Sequence, residues 1–299
     1  MSPATVAGGA GAIGRADAPP QAQGQAQGQA QGQAQTHVPA AAGLAIERLR
    51  ISFGGIVAVD DLSLEVRPGT LHALIGPNGA GKTTVLNCIS RFYTPDAGSI
   101  RVDGHELTRL PDHGVAALGV ARTFQNLELF GELSVLDNVR IARHRFQRAH
   151  LLEVLFGLPR KRREDREQRE RAESIVESVG LAAHMAARVR DLPYGTQKLV
   201  ELARAIALEP RLILLDEPAA GMNNREIARL GELLVSLRTR LGATMLLIEH
   251  SMALVMSISE RITVMDNGRF LAEGTPAQVE SDESVIRAYL GSGRRARRG

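Results

Sequence analysis

The chain has 299 residues, of which 44% are apolar and 3% aromatic, with no tryptophan. That length can bury a sizeable core as one large domain or two small ones, and so few aromatic rings leave little with which to stack bases. The formal net charge is +3, but Arg294, Arg295, Arg297 and Arg298 sit together at the end. The rest of the chain is near neutral and offers no broad basic face, so no nucleic-acid partner is expected.

Cys88 is the single cysteine, which excludes an internal disulfide, agrees with a reducing compartment and reads as a small buried apolar residue. No run approaches the roughly 20 apolar residues of a membrane span. No positively charged start leads into an apolar stretch, so no secretory signal is expected.

Residues 1–43 are rich in Ala, Gly, Pro and Gln and include the repeat QAQGQAQGQAQGQAQ. Such a stretch lacks apolar periodicity and cannot offset the entropy of ordering, so a disordered tail is expected before Leu44. LAIERLRISF (44–53) and LSLEVRPG (62–69) alternate with period two and end in turn residues, as strands do. LHALIG (71–76) is a short apolar strand, followed by a helix through Phe92 and a polar strand, GSIRVDG (98–104). Residues 127–190 read mostly as helix. Within them PRKRREDREQRERAESIVESVG mixes both charge signs at helical spacing, the pattern of a solvent-facing helix.

Beyond Leu208 strands and helices alternate: RLILLDEP (211–218), the helix NREIARLGELLVSLRTRLG (224–242), then ATMLLIEH (243–250). Continuous apolar runs separated by helices predict an α/β fold whose parallel sheet is covered on both faces. The arginines within 292–299 form a flexible basic end that is either a solvated terminus or a contact for anionic lipid or RNA.

GPNGAGKT satisfies G-x-x-x-x-G-K-[ST]. Gly76, Gly79 and Gly81, with Pro77, Asn78 and Ala80 between them, let backbone N–H groups wrap phosphate oxygens at a helix N-terminus. Lys82 adds a compact positive charge for the outer phosphates, Thr83 a hydroxyl for Mg²⁺, and Thr84 is a further expected nucleotide contact. Only three lysines occur in the chain, at 82, 161 and 198, so a chance lysine at this point is improbable.

LILLDEP ends a buried strand in two carboxylates, where open α/β sheets place ligands. Asp216 is suited to hold Mg²⁺, and Glu217 to polarise an attacking water as general base. Gln125 in RTFQN and His250 in LLIEH each follow an apparent strand, and beside the other motifs they are candidate γ-phosphate sensors. A second glycine-bearing helix start, LPYGTQKLVELARAI, lies about 110 residues beyond the first.

The order GPNGAGKTT, TFQN, LPYGTQK, LILLDEP, IEH resembles the ATP-binding subunit of an ABC transporter, over about Leu44 to Gly291. The resemblance implies a P-loop NTPase (RecA-like) core with a parallel sheet, an antiparallel β subdomain and an inserted helical subdomain at about 127–190. It also implies ATP and Mg²⁺ as cofactors and two cassettes that sandwich two nucleotides. Phe53 would stack on adenine, and Gln125 would touch Mg²⁺ and relay nucleotide state. Glu217 would be the base and His250 the γ-phosphate switch. Tyr194, Gly195 and Thr196 would meet the ATP held by the opposing subunit, and AAGMNN (219–224) would reach across the pair. The family's usual LSGGQ departs here to Leu192-Pro193-Tyr194-Gly195-Thr196. Pro193 brings neither hydroxyl nor N–H, which leaves that contact to Gly195, Thr196 and the helix end.

LPYG, EPAAGMN, IEHSMALVMSISERITVMDNG and VIRAYLG are most similar to one branch, the ATPase subunits of branched-chain amino acid uptake systems, and within it to the member carrying RTFQNLELF. That branch implies transmembrane permease subunits, a second ATPase subunit (a relative or a second copy), an indirect link to a solute-binding protein, and a place on the cytoplasmic face of the membrane. The cargo is left open among leucine-like solutes, urea and other amides. Two other classes fit less well. Soluble ABC-type ATPases of translation or DNA repair usually duplicate the cassette or insert a long coiled coil, and neither is present. A phosphate-loop GTPase or kinase would leave the LPYGTQK helix without purpose, and the guanine-reading Asn-Lys-x-Asp is missing. Deleting residues 1–40 is expected to leave ATP hydrolysis intact in a phosphate-release assay; loss of folding would show that the repeat is no passive tail.

Overall fold

Two sheets carry the structure, and their sequences differ as their surroundings require. The computed structural model describes residues 43–123, 127–146 and 159–295. The expected tail lies outside them except for Gly43. In chain order the strands are β1 (Leu44–Phe53), β2 (Ile56–Val66), β3 (Leu71–Ile75), β4 (Ala97–Val102), β5 (His105–Glu106), β6 (Val120–Arg122), β7 (Leu212–Asp216), β8 (Thr244–Ile248), β9 (Arg261–Asp266) and β10 (Arg269–Gly274). The helices are α1 (Lys82–Ile89), α2 (Asp112–Ala117), α3 (Val135–Ala142), α4 (Pro159–Ser178), α5 (Tyr194–Ala207), α6 (Asn224–Leu241), α7 (Met252–Ile258), α8 (Pro276–Ser281) and α9 (Glu283–Arg295).

The first sheet is antiparallel, in the order β2-β1-β4-β5. Its buried residues alternate along β1 as Leu44 and Ile46, then skip one position to Leu49 and Ile51. The skip coincides with a register shift, and Arg48 within it has a φ of 46°. One extra residue there switches the inward set and bends the strand.

The second sheet has the order β10-β9-β3-β8-β7-β6, parallel from β9 to β6, with β10 antiparallel at one edge. Its strands are apolar at successive positions because both faces are covered. Leu212, Leu214, Leu246 and Ile248 join one cluster with Val85, Leu86 and Ile89 of α1 and the inner face of the first sheet. Ile213, Leu215, Met245 and Leu247 point the other way, into a cluster with Val200 and Ala203 of α5 and Leu230, Leu234 and Leu237 of α6. A third cluster packs Ala73 and Ile75 of β3 against Val255, Ile262, Val264, Val279 and Val285, with Tyr289 of α9 against it.

The helical insertion shares the second cluster rather than owning one: Val135 and Val139 of α3, and Ala172 and Val176 of α4, belong to it. Helix α4 meets the solvent-facing expectation. Ion pairs at i,i+4 join Arg163 to Glu167 and Arg169 to Glu173 along it. Asn223 and Glu226 form a capping box that starts α6, and Gly242, with a φ of 57°, ends it. The helix expected through Phe92 stops at Ile89, because Arg91 adopts a φ of 62° and its N–H turns back to Cys88. Cys88 is fully buried, and burial pushes its thiol up to about 11.

His72, buried on β3, meets Thr263 of β9 at 2.8 Å (Nε2 to Oγ1), and the Thr263 hydroxyl lies 3.3 Å from Glu273 of β10. Burial lowers the His72 pKa to about 4, with Glu273 opposing the shift and Arg261 adding to it. The folded chain therefore binds fewer protons than the unfolded one between about pH 6.5 and 4. Stability is expected to fall as pH drops through that window. Urea denaturation across it should show a shallower slope for His72→Gln than for the parent chain.

Candidate active site

The phosphate loop is built by close backbone approach. A Cβ on Gly76 would stand 2.1 Å from the Met265 carbonyl oxygen, and one on Gly81 would stand 2.5 Å from that of Ala58. Gly81 also caps α1 with a φ of 96°, a conformation other residues adopt only under strain. The turn between β9 and β10 braces the loop from behind. The Gly268 N–H donates to the Ala80 carbonyl at 3.1 Å, and the Asp60 N–H of β2 donates to the Gly268 carbonyl at 2.8 Å.

A cavity of about 780 Å³ opens over this loop, lined by Asn78 through Thr84 together with Ala58, Glu217 and His250. Lys82 folds onto its own loop, donating from Nζ to the carbonyls of Gly76 at 2.8 Å and Pro77 at 3.0 Å. Burial holds its pKa below the usual lysine range, while Glu217 and Asp216 act in the opposite sense. Its ammonium is pre-positioned and poorly hydrated, which favours exchange of carbonyl partners for phosphate oxygens.

Strand β7 delivers the two carboxylates to different surroundings. Asp216 is buried, and its Oδ2 accepts from Arg122 of β6 at 2.7 Å. Arg122 donates also to Asn87 and Ser90 and lies over the Phe92 ring. Asp216 Oδ1 is buried without a hydrogen-bond partner among the described residues. A buried carboxylate oxygen left unsatisfied fits a cation ligand. Among those residues no group of three or more His, Cys, Asp or Glu could hold a metal ion. Mg²⁺ needs no such cage, since it takes one or two carboxylates, hydroxyls and substrate phosphates. Asp216 and Thr83 have that donor chemistry.

Glu217 has a φ of 49°, a left-handed conformation that costs of order 1–3 kcal/mol outside glycine. Its N–H donates to the Ile248 carbonyl at 2.9 Å, and its Oε1 meets His250 Nε2 at 3.0 Å. Glu217 and His250 thus come together with the phosphate loop, as the sequence motifs anticipate. Gln125 lies outside the described residues. Phe53 does not line the cavity; it is 44% exposed and meets Tyr93 edge-on with ring centroids 5.0 Å apart.

Tyr194, Gly195 and Thr196 also stay out of this cavity. Helix α5 starts at Tyr194, with Pro193 at the cap position and no side-chain cap, so Gly195 is its second residue and not its start. Gly195 and Thr196 line a separate cavity with Met222 and Glu226. Tyr194 rests against Gly221 and the Lys198 ammonium. Two contributors carry no sequence signal of their own: Arg122 and Gly268. Nothing marks a single Arg or Gly; only the folded neighbours do.

The family model described as ABC transporter matches residues 59–220, and one described as branched-chain amino acid ATP-binding cassette transporter matches 271–294. The chain is 45% identical over 248 residues to the high-affinity branched-chain amino acid transport ATP-binding protein BraF of Pseudomonas aeruginosa, covering 83% of this chain and 97% of that one. It is 44% identical over the same length and coverage to the corresponding LivG of Escherichia coli. Among solved structures, the ADP conformation of MJ1267, an ATP-binding cassette of an ABC transporter, superposes with a TM-score of 0.72 at 30% identity, covering 84% of this chain and 99% of that one.

The chain belongs to the ABC transporter family, as an ATP-binding protein of its branched-chain amino acid branch. It is an ATPase that works as part of a transporter complex with permease subunits. No helix among the described residues is long and apolar enough to cross a membrane. Replacing Lys82 with Ala is expected to weaken ATP binding by about 1.5–3 kcal/mol, the worth of a charge-assisted hydrogen bond. Titration with a fluorescent nucleotide reads it, and unchanged affinity would remove Lys82 from the site.

Proposed function

We propose that the chain powers import of branched-chain amino acids or closely related small amide solutes, seated on the cytoplasmic face through its permease subunits. The observation that carries its working parts is the single cavity in which the phosphate loop, Lys82, Glu217 and His250 converge. Backbone N–H groups of residues 78–81 and the N-terminus of α1 cradle the phosphates, and Lys82 moves from the Gly76 and Pro77 carbonyls to the outer ones. Phe53, half-exposed beside Tyr93, takes the adenine. Thr83, Asp216 and Gln125 would hold Mg²⁺, which supplies further neutralisation of phosphate charge.

Glu217 acts as general base. As water attacks the γ-phosphorus, the bond to the β–γ bridging oxygen breaks, ADP leaves, and the water's proton passes to the Glu217 carboxylate. His250, 3.0 Å from that carboxylate, holds its orientation and senses the γ-phosphate. The separation of Gly195 and Thr196 from the phosphate-loop cavity supports a role in trans. Uncapped amides at the start of α5, with Tyr194 beside them, face the nucleotide of an opposing cassette, either a second copy or a related ATPase. Residues 219–224 reach towards that partner. Closure of the pair on ATP and its reopening after hydrolysis drive the permease, and the solute-binding protein feeds that permease from the other side. Expected absence of a nucleic-acid partner follows the same reading.

Glu217→Gln is expected to keep ATP affinity and lower turnover by about 10²–10⁴-fold, while ATP shifts the chain to a stable pair on size-exclusion chromatography. Ordinary hydrolysis by that variant would exclude Glu217 as the base.

A further inference from the structure

Glu249 has no part in the chemistry above, yet it is 4% exposed. It stands between Ile248, the last residue of β8, and His250. Its two oxygens face three backbone donors. Oε1 accepts from the Ala219 N–H at 2.7 Å, and Oε2 accepts from the N–H groups of His250 at 2.9 Å and Ser251 at 3.2 Å. A carboxylate is acceptor-only, so it satisfies all three at once; an amide of the same shape would turn an NH₂ towards a donor.

These bonds join segments about thirty residues apart in sequence. Ala219 lies two residues beyond Glu217, and Glu217 returns to the same place twice: its N–H to the Ile248 carbonyl at 2.9 Å and its carboxylate to His250 at 3.0 Å. The contacts close a ring that runs from Glu217 through Ala219 to Glu249, on to His250 and back to Glu217.

We infer that Glu249 is a positioning residue for ATP hydrolysis, whose carboxylate clamps the loop after β7 to the loop after β8 and so sets Glu217 against His250. The inference rests on Glu217 being the base and His250 its partner. Glu217 occupies a left-handed conformation, which persists only where surrounding contacts over-determine it. Glu249 supplies one such contact on the Glu217 side and two on the His250 side. Because Ala219 opens the loop proposed to meet the opposing cassette, the same clamp makes any displacement of that loop felt at His250.

The test compares five variants of the full-length chain, the His250→Ala single among them, in steady-state ATP hydrolysis, with nucleotide titration and thermal unfolding alongside. Glu249→Gln is expected to lower kcat by about 10²-fold, the scale of an ångström-level misplacement, with ATP affinity within about twofold because binding is spared. In a His250→Ala background the same change is expected to add little, since both act through one geometry. Unchanged kcat with only a lowered melting temperature, or losses that multiply in the double variant, would overturn the clamp. Glu249→Asp keeps the charge but shortens the reach. It is expected to lose about tenfold in kcat at preserved ATP affinity, and full activity in it would overturn the clamp even if the Gln variant failed to fold. Glu217→Gln run in parallel separates the two ideas: if it hydrolyses normally, the assignment of the base fails and the clamp falls with it; if it is inactive while Glu249→Gln is fully active, only the clamp fails.

Discussion

Adjacency of β3, β8 and β7 in one parallel sheet is the constraint on which everything else depends. Parallel strands end on the same side, so the residues that follow them share one edge. Here those residues are the phosphate loop after Ile75, His250 after Ile248, and Glu217 after Asp216. Register does the rest. Asp216 pairs with Ile248, and Glu217 one residue beyond the first and His250 two residues beyond the second line the same cavity. The cores on both faces keep that edge stiff, since each strand sends alternate residues into different clusters and can slip in neither direction without exposing one of them.

Stiffness is what allows the site to hold unfavourable features. Glu217 has a backbone conformation rare for its type, Gly76 and Gly81 leave no room for a side chain, and Asp216 carries a buried oxygen without a partner among the described residues. Each would relax in a looser frame. The Arg122–Asp216 ion pair, almost fully out of water, belongs to the same group. It holds one Asp216 oxygen and so leaves the other in a fixed direction. A buried pair of this kind contributes little net stability, because desolvation offsets attraction; its contribution is geometric.

The insertion between β6 and β7 has a different design. It borrows its core from the main sheet through α5, and α4 is covered with ion pairs that prefer water. Helix α5 therefore links the sheet to the insertion, and its N-terminus opens on a cavity of its own. Chemistry that needs both glycine-bearing loops is incomplete within one chain, which is the physical basis for expecting a second.

Much of this was legible in the sequence because it depends on local chemistry. The phosphate loop needs a set spacing of glycines and a lysine; α6 announces itself by Asn223, its apolar stripe and Gly242; the apolar runs at 212–215 and 245–248 exclude an exposed strand. The same reasoning extended α1 to Phe92, because a left-handed Arg91 leaves no mark in composition. Arg122 and Gly268 carry no signal of their own for a related cause: their partners are distant in sequence, and a single charged or small residue carries no period. The sequence by itself determined which residues could bind phosphate, accept a proton or ligate a cation, since that follows from side-chain chemistry and spacing. Only the tertiary structure decided which of them meet, because meeting is set by strand order and register. It placed Glu217 and His250 over the loop, kept Gly195 away from it, and turned Glu249 towards three amides from two loops.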